Sequence, residues 1–287
     1  MIKFWGSVVE RVARSGSVVL WSEALGEPGG VPVLLVMGAN APAHGWPDEF
    51  VALLVEGGCR VVRYDHRDTG RSTRVPDGDY GMGDLAEDAV EVLDAHGIEQ
   101  AHVVGMSMGG IIAQLLAVDH ADRVRTLTLM HTGALDMGST EDVVPLEGAR
   151  LERMIALAVP GEDLESELAR RVELWRELHG DGLPFDAAEY RRLEERAVAH
   201  AGTFEPSTAH VRLGGEPLPR GADDLRRVSV PALVVQGELD PFYPPGMGRH
   251  LAALLGARLL EVPGMGHALP AAVHRTVADA ILEHIRG

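Results

Sequence analysis

His102-Val103-Val104-Gly105-Met106-Ser107-Met108-Gly109-Gly110-Ile111-Ile112 is the stretch that decides the fold. A short β-branched strand, 102–104, leads through a glycine-flanked serine into an apolar helix over 108–118. The middle five residues, Gly105 to Gly109, fit G-x-S-x-G. A serine held on a sharp strand-to-helix turn needs backbone angles that L-residues avoid. Side chains two positions to either side would collide with the turn, so glycine is required there. The strand–turn–helix setting separates a nucleophile turn from an ordinary glycine-rich loop.

Outward from this stretch, strands and helices alternate. Short apolar runs bounded by turn residues predict strands at 17–21, 33–37, 60–65, 126–130, 231–235 and 258–262. Apolar residues at helical spacing predict helices over 47–56, 84–96, 247–255 and 273–285. Continuous apolar strands joined by helices predict a doubly wound, mostly parallel α/β sheet buried on both faces. The pattern breaks in the middle of the chain. Three charged, helix-like stretches, 146–159, 163–179 and 186–201, follow one another with no strand run between them. The expected organisation is a core of residues 1–134 and 221–287, with 135–220 as a helical cap over the C-terminal edge of the sheet.

Composition narrows the function. The formal net charge is −17, from 43 acidic and 26 basic residues, so no basic field exists to attract nucleic acid or an anionic membrane. No run approaches the ~18 apolar residues of a membrane-spanning helix. The apolar run Phe4-Trp5-Gly6-Ser7-Val8-Val9 is too short, and too soon followed by Glu10 and Arg11, for a secretory leader. Cys59 is the single cysteine, which excludes an internal disulfide or a cysteine-based zinc cluster and points to a reducing, cytoplasmic setting. No metal or cofactor is called for.

A serine hydroxyl needs a base within hydrogen-bond reach and a carboxylate to orient that base. Position selects His267 from the 13 histidines: it follows the last strand in Gly264-Met265-Gly266-His267, where a loop leaves the C-terminal edge. His44 and His66 lie in loops at the same edge and are equally well explained as pocket or as structural residues. Asp240, directly after strand 231–235, is the expected acid, and Asp136, after strand 126–130, is its rival. The chain order Ser107, Asp240, His267 matches the order this architecture uses. Two backbone N–H groups should receive the developing negative charge: Met108, after the nucleophile, and Ala39, with Gly38 as the adjacent alternative.

With these residues in place, the chain resembles the α/β-hydrolase fold, and within it the aclacinomycin methylesterases of aromatic polyketide biosynthesis. The matching segments are Val36-Met37-Gly38 with Asn40, and Gly45-Trp46-Pro47-Asp48-Glu49-Phe50. They continue through Arg63-Tyr64-Asp65-His66-Arg67-Asp68-Thr69-Gly70-Arg71-Ser72-Thr73 and the serine motif. Near the end they are Asp240-Pro241 and Pro263-Gly264-Met265-Gly266-His267-Ala268-Leu269-Pro270. In the cap they are Pro184-Phe185-Asp186, Ala188-Glu189-Tyr190, Glu194-Glu195-Arg196-Ala197 and His200-Ala201-Gly202. The likeness spans about 16–284 and lapses between about 138 and 163.

The resemblance implies hydrolysis of a methyl ester on a polycyclic polyketide by Ser107, His267 and Asp240, without cofactor. Trp46, Phe185 and Tyr190 are the candidate aromatic contacts to such a substrate. Other chemistry on the same triad (C–C bond hydrolysis, lactone opening, perhydrolysis) and a non-catalytic binding protein are the alternatives.

Overall fold

Side chains of a strand alternate between the two faces of its sheet, so a strand buried on both faces must be apolar throughout. The strand Val31–Val36 shows this directly: Val33 and Leu35 enter one core cluster, Leu34 and Val36 the other. The computed structural model describes residues 7–75, 78–136 and 148–287. Its strands are β1 (Val8–Ser15), β2 (Val18–Leu25), β3 (Val31–Val36), β4 (Cys59–Tyr64), β5 (Ala101–Met106), β6 (Val124–Met130), β7 (Ala232–Gly237) and β8 (Arg258–Val262). They form one sheet in the order β1-β2-β4-β3-β5-β6-β7-β8. The two pairings of β2 are antiparallel and the rest are parallel.

Helices α1 (Asp48–Glu56), α2 (Met82–Ala95) and α3 (Met108–Asp119) connect the first strands. Between β6 and β7 come α4 (Gly148–Ala156), α5 (Leu164–His179), α6 (Ala187–Ala201) and the single turn α7 (Ala222–Leu225); α8 (Pro245–Leu255) and α9 (Ala271–Arg286) complete the alternation. Residues of α2 and α3 pack in one apolar cluster and residues of α1 and α9 in the other, one on each face of the sheet. β3 lies between β4 and β5, so successive connections run in opposite directions from it. Loops leaving the C-terminal ends of β3 and β5 therefore splay apart there and leave a crevice.

The doubly wound sheet is present as expected. β1 escapes the sequence pattern: it is an edge strand on which Val8 and Val12 are exposed and Ala13 is buried, so it shows no apolar alternation. The first six residues, including Phe4 and Trp5, lie outside the described residues, as do Leu146 and Glu147 at the start of the first expected cap helix.

The charged composition of α5 and α6 has a structural use. Asp163 caps α5 by accepting from the Ser166 N–H, and Asp186 caps α6 by accepting from Ala188. Glu167 of α5 is fully buried, yet it accepts from the Gly161 N–H at 2.9 Å, from Arg170 at 2.7 and 2.6 Å and from Arg171 at 2.6 Å. Burial pushes its carboxyl up, but these donors outweigh burial and bring it to about 2. α6 is fastened to the core by His200 on Asp65 at 2.6 Å and by Arg196 on Asp48 at 2.8 Å.

Glu167→Gln should destabilise the protein at neutral pH by about 2–3 kcal/mol, the worth of hydrogen bonds to a charged group. The native carboxyl lies below its unfolded value of about 4.3, so its contribution is complete above that value. It is lost as pH falls through about 2. Thermal melts of both proteins from neutral pH downward should show the gap closing below about pH 4; a gap independent of pH would count against this account.

Candidate active site

The site is built at the end of β5. Ser107, the residue between β5 and α3, has φ 56° and ψ −122°, a left-handed conformation that side-chain-bearing residues seldom adopt. Its N–H donates to the Met130 carbonyl of β6 at 2.9 Å, which continues the parallel ladder through the turn. The flanking glycines are sterically required. A Cβ on Gly105 would lie 2.2 Å from the Gly109 carbonyl oxygen, and one on Gly109 would lie 2.1 Å from that of Val36.

Three separate loops bring the partners. Ser107 Oγ donates to His267 Nε2 at 3.1 Å, and His267 Nδ1 donates to Asp240 Oδ2 at 2.9 Å. The loop after β8 is placed by the His267 N–H, which donates to the Leu178 carbonyl of α5 at 2.7 Å. Gly266 lets it come that close, since a Cβ there would meet the His179 carbonyl oxygen at 2.2 Å. The Asp240 side chain is completely buried. Its Oδ1 accepts from the Phe242 and Tyr243 N–H groups, both at 2.9 Å. Burial alone would raise this carboxyl; the facing His267 and hydrogen bonds from two imidazoles outweigh it and hold the carboxyl well below the usual range.

Gly38 lies against the nucleophile: a Cβ on it would be 3.4 Å from the Ser107 Cβ. Ala39 follows it on the same cavity wall. Met108 is the first residue of α3, where a backbone N–H has no partner within the helix. The loop carrying Gly38 and Ala39 is clamped at both ends. His66 donates through Nε2 to the Met37 carbonyl at 2.9 Å. Asn40, with φ 61°, donates its N–H to His210 Nδ1 at 2.9 Å and accepts from the His210 N–H at 3.1 Å.

Ser107, His267, Gly38 and Ala39 share one cavity of about 560 Å³, within the range that holds small organic ligands. Met154, Leu157, Leu174 and Trp175, from between β6 and β7, line it together with Met37, Met106, Phe242 and Tyr243.

Not every expected residue lies there. Asp136, the rival acid, pairs with His250 of α8 at 3.3 Å rather than with His267. His44 stacks on His200, 4.3 Å between ring centroids, and His66 is wholly buried beneath the Met37 turn. None of the three aromatic residues expected at the substrate lines the Ser107 cavity. Trp46 is fully buried against Phe50, and Tyr190 is stacked between Trp175 and Phe185 at 5.2 and 5.0 Å with its hydroxyl on His179. Trp46 and Tyr190 border a neighbouring cleft between α6 and the core. Trp46 serves core packing, Tyr190 and Phe185 pack against α5, and the aromatic side chains at the cavity are Trp175, Phe242 and Tyr243. Phe242 and Tyr243 are readable by the rule that selects Asp240, since they follow it within three residues at the same edge. His131, the first residue after β6, meets the same rule, yet sequence reasoning misses it; it donates through Nδ1 to Asp240 Oδ2 at 3.1 Å.

Among the described residues, His131, Asp240 and His267 form the group with metal-ligating potential, their ligand atoms lying within 4.8 Å of one another. Those atoms already satisfy each other by hydrogen bonds, which accounts for the cluster without an ion. No described helix is long and apolar enough to cross a membrane.

Comparison with known proteins agrees with this architecture. Residues 31–270 match the family model for the alpha/beta hydrolase fold. The chain is 47% identical to the rhodomycin D methylesterase of Streptomyces peucetius, over 96% of this chain and 98% of that one. It is 46% identical to the rhodomycin D methylesterase of Streptomyces sp. strain C5, with the same coverage. In three dimensions it resembles the 2-hydroxy-6-oxo-6-phenylhexa-2,4-dienoate hydrolase of Rhodococcus sp. strain RHA1, with TM-score 0.75 and 23% identity, covering 98% of this chain and 99% of that one. The sheet order, the serine turn after β5 and the family match together place the chain in the α/β-hydrolase fold family.

Proposed function

We propose that this protein is a serine methylesterase that removes the methyl group of a carboxylic ester carried by a polycyclic, anthracycline-like polyketide. The reading rests on the relay from Ser107 through His267 to Asp240, at 3.1 and 2.9 Å. The full-length likeness to two rhodomycin D methylesterases supports the choice of ester. Residues 135–220 act as the cap that shapes the substrate cavity over the core.

The residues of the site take complementary roles in this chemistry. Asp240, kept ionised, holds His267 in the tautomer that leaves Nε2 free to accept from Ser107. Ser107 Oγ bonds to the ester carbonyl carbon while its proton passes to His267 Nε2. The carbonyl oxygen becomes an oxyanion and accepts from the Met108 N–H and from the N–H of Ala39 or Gly38. Collapse breaks the bond to the methoxy oxygen, which leaves as methanol with the proton from His267. Water then adds to the acyl carbon, giving its proton to His267, and a second collapse returns that proton to Ser107 and frees the acid. Every step is an acyl or proton transfer, and water is the sole co-substrate.

The aromatic side chains at the cavity support a flat ring system as substrate. Trp175, Phe242 and Tyr243 border the cavity, and Tyr243 stacks on His267 with 18° between the rings. Contacts to rings distant from the ester can be used to align the carbonyl on Ser107, which raises kcat rather than affinity alone.

Ser107→Ala should lose at least ~10³-fold in kcat with its melting temperature intact, and a fluorophosphonate should label the parent protein at Ser107. Asp240→Asn should lose several orders of magnitude, whereas Asp136→Asn should fall less than about threefold because that side chain does not face His267. The reverse order would move the acid to the end of β6.

Methanol release from a polycyclic methyl ester should exceed that from methyl butyrate by at least ~10²-fold in kcat/KM, about 2.7 kcal/mol of transition-state binding. Trp175→Ala should reduce this preference without changing the small-ester rate. Equal rates on both esters would indicate a general esterase, and products cut at a carbon–carbon bond would refute the methylesterase reading.

A further inference from the structure

His131 is a second histidine on the catalytic carboxylate. Its side chain has no exposed surface, and its Nδ1 lies 3.1 Å from Asp240 Oδ2, the same oxygen that receives His267 Nδ1 at 2.9 Å. A carboxylate oxygen only accepts, so both rings carry their proton on Nδ1. With Phe242 and Tyr243 on Oδ1, Asp240 receives four N–H donors. The backbone fixes where the His131 ring starts from, since φ is 48° there and the His131 N–H donates to the Val235 carbonyl of β7 at 3.1 Å.

The other ring nitrogen, His131 Nε2, is buried with no hydrogen-bond partner among the described residues. A bare lone pair in that position costs less than the second N–H of an imidazolium, a charged donor that would be left without an acceptor. Burial lowers the tendency of this ring to protonate, against the pull of Asp240. The titratable groups facing it are Asp240 and His267. Beyond them, Tyr243 stacks on His267, and its phenol, pushed up to about 12 by burial, carries no charge near neutrality. His131 is absent from the walls of the Ser107 cavity.

We propose that His131 is a positioning residue for ester hydrolysis: a buried N–H donor that shares Asp240 Oδ2 with His267, fixes the carboxylate and reduces its basicity. This rests on the triad assignment above. Two consequences follow from sharing one oxygen. The carboxylate cannot rotate away from His267 without abandoning a second buried donor. And electron density drawn toward His131 is withheld from His267, so the Asp240 carboxylate attracts a positive charge on His267 less strongly.

Two variants separate this role from plain packing: His131→Phe, which keeps a planar ring and removes the donor, and His131→Asn, whose side-chain N–H can occupy the position of Nδ1. His131→Phe should lose about 10- to 100-fold in kcat, the worth of one hydrogen bond to a charged group, with KM within about twofold. Its acid limb in kcat/KM should move to higher pH by about half a unit to one unit. His131→Asn should restore both kcat and the acid limb. A folded His131→Phe protein with an unmoved acid limb would overturn the proposal, as would a His131→Asn protein that melts normally yet is equally impaired. Nitrogen-15 NMR of histidine-labelled wild-type protein gives a readout that no variant's folding can obscure. It should show one imidazole locked as the neutral Nδ1–H tautomer between about pH 5 and 9, outside the ordinary titration of histidine. That signal should disappear in either variant, and its titration as an imidazolium would also overturn the proposal. Failure of Ser107→Ala to lose activity would instead remove the triad itself, so the two failures are distinguishable.

Discussion

The close approach of α3 to the C-terminal end of β3 is the constraint on which the site depends. The Gly109 backbone lies so near the Val36 carbonyl that no side chain fits between them, and Gly105 is equally tight against Gly109. These contacts force the chain to reverse in a single residue, and the left-handed angles of Ser107 are the result. Strain of this kind costs of order 1–3 kcal/mol and persists only where surrounding structure fixes it. Here the ladder bond from Ser107 to Met130 and the buried helix behind it do so. The same turn lifts the hydroxyl clear of the sheet, places the Met108 N–H beside it and sets Gly38 against the serine.

The helices between β6 and β7 take part in the site as well as lining its cavity. Leu178, on α5, receives the His267 N–H, so the loop that carries the base is registered against a cap helix. His210, in the 3₁₀ turn Ala209–Gly215 after α6, holds Asn40 at the end of the oxyanion loop and donates to the Arg67 carbonyl at 3.0 Å. His200 reaches Asp65, which also accepts from the Ala43 and Arg71 N–H groups. The loop of His267, the loop of Gly38 to Asn40 and the core are thus each tied to the segment between β6 and β7. A change in cap packing would be felt at the reacting atoms rather than in binding alone.

How much of this is legible in the sequence follows from how local each determinant is. The serine turn is a local steric problem solved by nearby glycines, so five residues reveal it. Asp240 and His267 can be chosen because a parallel sheet brings the loops after its strands to one edge, whatever their separation in sequence. The face a cap helix turns toward that edge is different: it depends on packing between helices and is not encoded by spacing. Tyr190 and Phe185 read as substrate contacts, yet they stack within the cap, while Trp175 on the preceding helix borders both their stack and the cavity. Trp46 misleads for a related reason. It sits in a loop at the correct edge, but its indole is drawn into the apolar layer with Phe50. β1 shows the same limit at the sheet edge, where backbone pairing with β2 holds a strand whose side chains are mostly exposed.

Histidine has a second role here besides proton transfer. Burial brings His66 down to about 3 and lowers His131 and His210 as well, so these rings are neutral near physiological pH. A neutral imidazole offers one donor and one acceptor on a rigid ring, which suits it to joining two backbone segments or a backbone and a carboxylate. His66 fixes the Met37 carbonyl, and His210 bridges Asn40 to Arg67. A lysine or arginine could supply the donor but would bring a fixed charge next to the oxyanion loop. Such a charge would also attract the product carboxylate to the free site and oppose the positive charge that forms on His267. Neutral rings hold the geometry and leave charge development to the His267–Asp240 pair.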